Sequence, residues 1–179
     1  MKRLNENCIV GVKNRSFTVT AKVEVTEPGP SGVLIAQGGS YGGWSFYAHD
    51  GRLAFCYNTL AVQTAQIYSD APLDVGSREL RAHFAYDGGG LGRGGIVTLY
   101  DDDVQIGEGR VERTIPFTFS LDETLDIGMD VASPVSPSYG PRDNAFSGTI
   151  DWVRIDAGDD DHNHLIEPEH RMQAAMVRQ

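Results

Sequence analysis

Six aromatic residues stand out as candidates for recognition chemistry: Tyr41, Trp44, Tyr47, Tyr57, Tyr139 and Trp152. An exposed ring with carboxylates or amides beside it can stack on a sugar while its neighbours hold the hydroxyls. In a β-rich chain most such rings are instead core residues. A second candidate chemistry lies in SLDETLDIGMD, where Asp122, Glu123, Asp126 and Asp130 crowd together. If Leu121 to Asp130 runs as one strand, Asp122, Asp126 and Asp130 share a face. That would allow a structural calcium, which takes six to eight oxygen ligands. The spacing does not match the EF-hand loop, and ordinary solvated carboxylates are the alternative. His162, His164 and His170 lie near Asp159, Asp160 and Asp161. A His-x-His pair beside carboxylates suits zinc, yet this polar segment lacks a fixed scaffold and reads as a solvated acidic turn. His49 and His83 are single residues within strands and read as structural.

Other motifs lose their chemistry in context. Gly90-Leu91-Gly92-Arg93-Gly94-Gly95 has the G-x-G-x-x-G form. Pyrophosphate binding needs a helix to start there, and the β-branched run Ile96 to Tyr100 follows instead. The segment reads as a glycine-rich hairpin loop. No P-loop and no G-x-S-x-G elbow occurs, nor does the E-x-D-x-x-E pattern expected of a jelly-roll glucanase. Asn14-Arg15-Ser16 has the form of a glycosylation sequon and reads as a polar turn. Nucleophilic catalysis has no support, and enzyme activity of this chain alone is the weaker hypothesis.

The bulk numbers narrow the class further. The 179 residues carry 15 Lys plus Arg against 25 Asp plus Glu, a formal charge of −10. Phosphate contacts need clustered cations, so nucleic acid is not the expected partner. No apolar run approaches the ~20 residues that span a bilayer, so no membrane role is expected. The apolar stretch after Asn7 is too short for a signal peptide. Cys8 and Cys56 sit in apolar runs and read as free, buried thiols.

Strands are the elements that must position these residues. Phe17 to Val25 alternates apolar and polar residues with a period of two. Further strands are expected at 32–38, 44–49, 52–57, 79–86, 96–100, 104–106, 117–121, 125–128 and 146–156. Asp50-Gly51 marks a two-residue hairpin, and Asp101-Asp102-Asp103 marks another turn. Frequent short strands between Gly-, Asp- and Pro-rich turns indicate an all-β antiparallel jelly-roll β-sandwich. The tight turns account for much of the count of 21 Gly. Ala132 to Asn144, with Pro134, Pro137 and Pro141, reads as an ordered loop without strand propensity. Glu169 to Val177 reads as a short C-terminal α-helix with an apolar stripe of Met172, Ala175 and Met176. The expected organisation is a β-sandwich over 1–157, with the acidic turn and helix of 158–179 packed on it.

Several long segments carry a resemblance. They are VKNRS at 12–16, TAKVEV at 20–25, GVLIAQGGSYGGWSFYAHDGRLAFCYN at 32–58, FAYDGGGLGRGG at 84–95, GEGRVERTIPFTFSLDETLDIGMD at 107–130, SPVSPSYGPRDNAFSGTIDWVRID at 133–156 and DDDHNHLIEPEHRMQAAMVRQ at 159–179. Together they resemble the C-terminal region of bacterial arylsulfatases of the alkaline-phosphatase superfamily. The resemblance implies a concanavalin A-like or laminin G-like sandwich. It also implies a noncatalytic accessory role, packing on an arylsulfatase catalytic domain and shaping its substrate entrance. The C/S-x-P-x-R motif that becomes formylglycine is absent here, so no sulfatase active-site residue carries over. Thr59 to Thr64 departs from the family's pattern, which places aromatics there. The alternative is a free-standing carbohydrate-binding, lectin-like module. The compartment, bacterial cytoplasm or periplasm, stays open.

Overall fold

A computed structural model describes residues 2–4, 9–119, 124–131 and 133–158. Ten strands form, in order β1 (Phe17–Val25), β2 (Gly32–Gly39), β3 (Gly42–His49), β4 (Arg52–Thr59), β5 (Gln63–Pro72), β6 (Gly76–Tyr86), β7 (Arg93–Asp101), β8 (Val104–Arg113), β9 (Leu125–Ile127) and β10 (Thr149–Ala157). They make two five-stranded sheets, ordered β10-β1-β6-β7-β8 and β5-β4-β3-β2-β9, with every pairing between these strands antiparallel.

The alternation in β1 does what its period predicts. Phe17, Val19, Ala21, Val23 and Val25 are buried between the sheets, and Glu24 is exposed. Alternate residues point to opposite faces, so Thr18, Thr20 and Lys22 fall on the outer side. The centre of the core is aromatic. Phe17 lies 5.4 Å from Trp44 and 5.5 Å from Phe84, and Trp44 stacks on Phe55 at 6.0 Å. Each such ring, fully buried, removes enough apolar surface to contribute roughly 1.5–3 kcal/mol.

The two long edges of the sandwich differ. At one, β5 and β8 close on each other, and glycine makes that approach possible. A Cβ at Gly109 would overlap the Ile67 side chain, and one at Gly107 would lie 2.6 Å from the Tyr68 carbonyl. At the other, β9 and β10 stand apart around a groove of about 570 Å³.

Asp50 and Gly51 both have positive φ, as a type I′ hairpin requires. Leu60 and Ala61, between β4 and β5, adopt the same left-handed backbone at φ +56 without being glycine. Asn58 Oδ1 accepts a hydrogen bond from the Ala61 amide at 3.0 Å and steadies this turn.

Three expectations need correction. The strand expected at 117–121 is not formed over 117–119. Phe117 is exposed there, and no described strand pairs with it. Over 124–130 the strand covers only Leu125–Ile127, because Gly128 turns the chain at φ +85. β5 was not foreseen, since only Ile67 and Ser69 of its ten residues are buried. The C-terminal helix at 169–177 and Cys8 lie outside the described residues.

Candidate functional site

The outer faces of the two sheets carry most of the polar side chains, and they have opposite fates. On the second sheet the outer residues are small or aromatic: Val33, Ala36, Ser45, Tyr47, Ala54, Cys56 and Asn58. Described residues of the proline-rich loop at 133–144 lie over them, as an ordered segment without strands. Val135 packs with Val33, Ala36, Tyr47, Ala54 and Cys56 in a second apolar cluster. Asp130 anchors the loop, its Oδ2 accepting the Val135 amide at 3.0 Å and the Tyr139 hydroxyl at 2.8 Å. Asn144 Nδ2 donates to the carbonyls of Asp130 and Gly140.

A hydroxyl network seals the rim of this loop. Ser136 Oγ lies 3.0 Å from the Tyr47 hydroxyl, and Ser138 Oγ lies 2.7 Å from the Tyr68 hydroxyl. Gln66 Nε2 reaches Tyr68 at 3.1 Å and Ser136 at 3.2 Å. Burial pushes the Tyr47 and Tyr139 hydroxyls far above their ordinary range, and it pushes the Cys56 thiol up to about 12. Cys56 is a free thiol, as its apolar setting suggested.

The first sheet presents its outer side chains differently. Register places them in rows across the strands. One row runs Arg154, Thr20, Arg81, Tyr100, Gln105 over β10, β1, β6, β7 and β8. The next runs Asp156, Thr18, His83, Thr98, Glu108 over the same strands. A shorter row holds Trp152, Lys22 and Glu79. Trp152, Arg154, Asp156, Gln105 and Glu108 are exposed. The Arg81 guanidinium lies 4.5 Å from the Tyr100 ring centre, and the Arg154 guanidinium 5.9 Å from that of Trp152. Thr18 Oγ1 is 2.9 Å from His83 Nδ1. Burial, and secondly the nearby Arg81, hold the His83 imidazole below its ordinary value.

A bulge puts Trp152 on this face. Ile150 pairs with Val23 and points inward, while Trp152 pairs with Lys22 and points outward. Two residues apart, they would share a face in a regular strand. The extra residue, Asp151, rotates the chain between them. Trp152 thus stands where the open face meets the groove, whose wall also includes Ile127, Phe146, Thr149 and Asp151.

The six aromatics named from the sequence do not form one row. Trp44 and Tyr57 are enclosed in the core. Trp44 Nε1 donates to Gln37 Oε1 at 3.0 Å, and the Tyr57 hydroxyl accepts the Ile115 amide at 3.0 Å. No ring face of either is left for a ligand. Tyr47 is buried beneath the loop and Tyr139 is part of it. Tyr41 is exposed at the β2–β3 turn, remote in register from Trp152, which is 41% exposed.

Of the three aspartates considered for calcium, Asp122 lies outside the described residues. Asp126 accepts the amides of Arg3 at 2.6 Å and Val131 at 3.3 Å, while Asp130 holds the loop. Both carboxylates accept hydrogen bonds from the chain's own donors. Among the described residues no group of three or more His, Cys, Asp or Glu could hold a metal ion. Asn14 of the sequon is buried, its side chain joining the Gly92 amide to the Pro116 carbonyl. The histidines at 162, 164 and 170 lie outside the described residues. Lys22, Thr20, Arg81, Tyr100 and Arg154 were not anticipated as a group. Their alternation along single strands was legible, but their alignment across strands was not.

No family model and no curated protein matches the chain. Solved structures do match. Domains LG4-5 of the mouse laminin α1 chain superpose with TM-score 0.53 at 15% identity, over 90% of this chain and 40% of that one. The CBM40 of a Ruminococcus gnavus IT-sialidase, bound to α2,3 sialyllactose, gives 0.53 at 13% identity, over 83% and 80%. A heptameric SAP-like pentraxin from Limulus polyphemus gives 0.50 at 16% identity, over 89% and 70%. None of these is an arylsulfatase. At such low identities the likeness concerns architecture: the chain has the antiparallel jelly-roll sandwich that its strand pattern implied, of the concanavalin A-like, laminin G-like type that the resemblance implied.

Proposed function

We propose that this domain is a noncatalytic carbohydrate-binding module whose ligand lies on the open outer face of the first sheet. The observation that carries the reading is the bulge at Asp151, which turns Trp152 outward beside Lys22 and Arg154 at the mouth of the groove. An aromatic platform flanked by charged and hydroxyl side chains is the equipment for holding a sugar ring by its apolar face and its substituents. The binding of sialyllactose by a fold neighbour supports this class of ligand. A glycan array followed by calorimetry tests it. Hits should weaken about tenfold or more in Trp152→Ala, as expected when a central aromatic anchor is removed. They should be unchanged in Tyr41→Ala. Equal loss in both variants, or no hits, would sink the reading.

One observation favours the accessory role implied by the sequence resemblance. Tyr41, Leu60, Val62 and Phe117 are exposed by 78, 61, 89 and 71%. They gather at one end of the sandwich. Asn58 Nδ2 bonds the Ser40 carbonyl there, and Thr59 Oγ1 bonds that of Arg113. Apolar loop tips of this kind suit packing against another domain, over roughly 600–1,500 Å². A separately expressed arylsulfatase catalytic domain should bind this chain, and Leu60→Asp with Val62→Asp should abolish the contact. Absence of binding would remove this second role without touching the first.

A further inference from the structure

Resting on the carbohydrate reading, we infer that the sugar bound beside Trp152 carries an acidic group, a carboxylate or a sulfate ester, held by Arg154 and Arg81 over Thr20. Three observations converge on it.

The first is the register. Arg154, Thr20 and Arg81 occupy adjacent positions on β10, β1 and β6. Adjacent strands lie about 4.8 Å apart, so the two arginines rise about 10 Å from each other with Thr20 between them. Two long side chains can close that span onto one small anion.

The second is the threonine itself. Thr20 is 1% exposed, and its Oγ1 has no hydrogen-bond partner. A buried hydroxyl without a partner is costly to keep, and such groups call for an explanation. Here it is an O–H donor at the floor of the arginine row, suited to an acceptor oxygen arriving from outside.

The third is the state of the two cations. Arg81 is stacked on Tyr100, and a stacked guanidinium still offers its N–H edge for paired hydrogen bonds to carboxylate or sulfate. Its carboxylate contact is distant, 4.0 Å to an Asp103 side chain fully open to solvent. Arg154 is paired with Asp156 at 2.8 Å, and both are exposed. Exposed pairs of this kind contribute little and exchange readily. Lys22 completes the cationic side, and Glu79, its cross-strand neighbour, faces it. Three cations against Asp103, Asp156, Glu79 and Glu108 leave no net positive field. The face is therefore not a polyanion surface, and selection must come from one acidic group fitted between two guanidinium edges.

Titration of the full chain with three glycosides of one sugar tests this: the neutral methyl glycoside, its uronic acid and its 6-sulfate. At least one acidic form should bind about tenfold or more tightly than the neutral one, the gain expected of charge-assisted hydrogen bonds. The uronate and sulfate arms show which group fits. Arg154→Gln and Arg81→Gln should each reduce the acidic ligand to the neutral level, while Trp152→Ala should weaken all three. Thr20→Val should lower acidic affinity while raising thermal stability, because the orphan hydroxyl is gone. In proton NMR the acidic ligand should raise the His83 pKa by neutralising Arg81, and a purely structural Arg81 would not do so. Equal affinity for neutral and acidic forms, with dependence on Trp152 intact, overturns the inference and spares the carbohydrate reading. Binding that ignores Trp152 overturns both.

Discussion

The two outer sheet faces start from the same geometry and reach opposite outcomes. Both present alternate residues of antiparallel strands. On the second sheet those residues are short or apolar, Val33, Ala36, Ala54 and Cys56, and they leave a depression that the loop at 133–144 fills. Its polar groups, Asp130, Ser136, Tyr139 and Asn144, are spent on the chain itself. On the first sheet the residues are long and charged, Lys22, Arg81 and Arg154, and no second apolar cluster forms there among the described residues. Among the described residues, side-chain length separates the roofed face from the uncovered one. The roofed face contributes to stability, and the open one is the place to look for recognition.

The two faces can be perturbed separately. The largest effect should be alkaline. Cys56 titrates near 9 when exposed and at about 12 in the fold, so the fold favours the neutral thiol. Its contribution is complete below pH 9 and lost as pH rises toward 12, by about 1.4 kcal/mol per pH unit. Tyr47 and Tyr139 are raised in the same sense and add to the loss. Urea unfolding between pH 8 and 11 should show this decline, and Cys56→Ala should flatten it. Next, Asp130→Ala should cost about 3 kcal/mol, because two buried donors lose a charged acceptor. Sugar binding should survive it, and parallel loss of both properties would mean that the faces are coupled. Trp152→Ala should reverse the pattern, with binding lost and stability changed by about 0.5 kcal/mol, as for other exposed positions.

Ala61→Gly should stabilise by about 1 kcal/mol, since glycine removes the left-handed strain. Chemical denaturation would read that gain, and it should leave both faces as they are. The smallest effect is acidic. His83 is held below 6.5, so its neutral form is favoured in the fold. That contribution is present above pH 6.5 and fades as pH falls, on the open face alone. Unfolding curves of His83→Gln between pH 4 and 7 would isolate it.

Much of the fold was legible because burial imposes alternation, and alternation survives in one dimension. β1 and the Asp50-Gly51 hairpin follow from residue types alone. β5 was not legible, because an edge strand with only two buried residues leaves almost no pattern. The candidate site was legible only at Trp152. Arg154 shares its strand but the other partners come from three more, and a row such as Arg154, Thr20, Arg81 exists only once register is fixed. The bulge at Asp151, which decides where Trp152 points, has no glycine or proline to announce it. Trp44 and Tyr57 misled because their composition suits a sugar platform as well as it suits a core.

The Gly158 amide donates to the Ser16 carbonyl at 2.8 Å, which ties the exit of β10 to the entry of β1. A sandwich whose ways in and out are neighbours occupies almost no distance along a polypeptide path. It can be carried within one loop of a host protein without prising that loop apart. Joining the two points with a short linker and opening the chain at the exposed Val62 turn should give a circular permutant that folds with reduced stability, because it loses the buried Val12 and the Leu4–Leu125 bridge. The segment before Ser16 lies on the sandwich as well, with Val12 in the core and Leu4 paired with Leu125, and it fastens this closed point to β9.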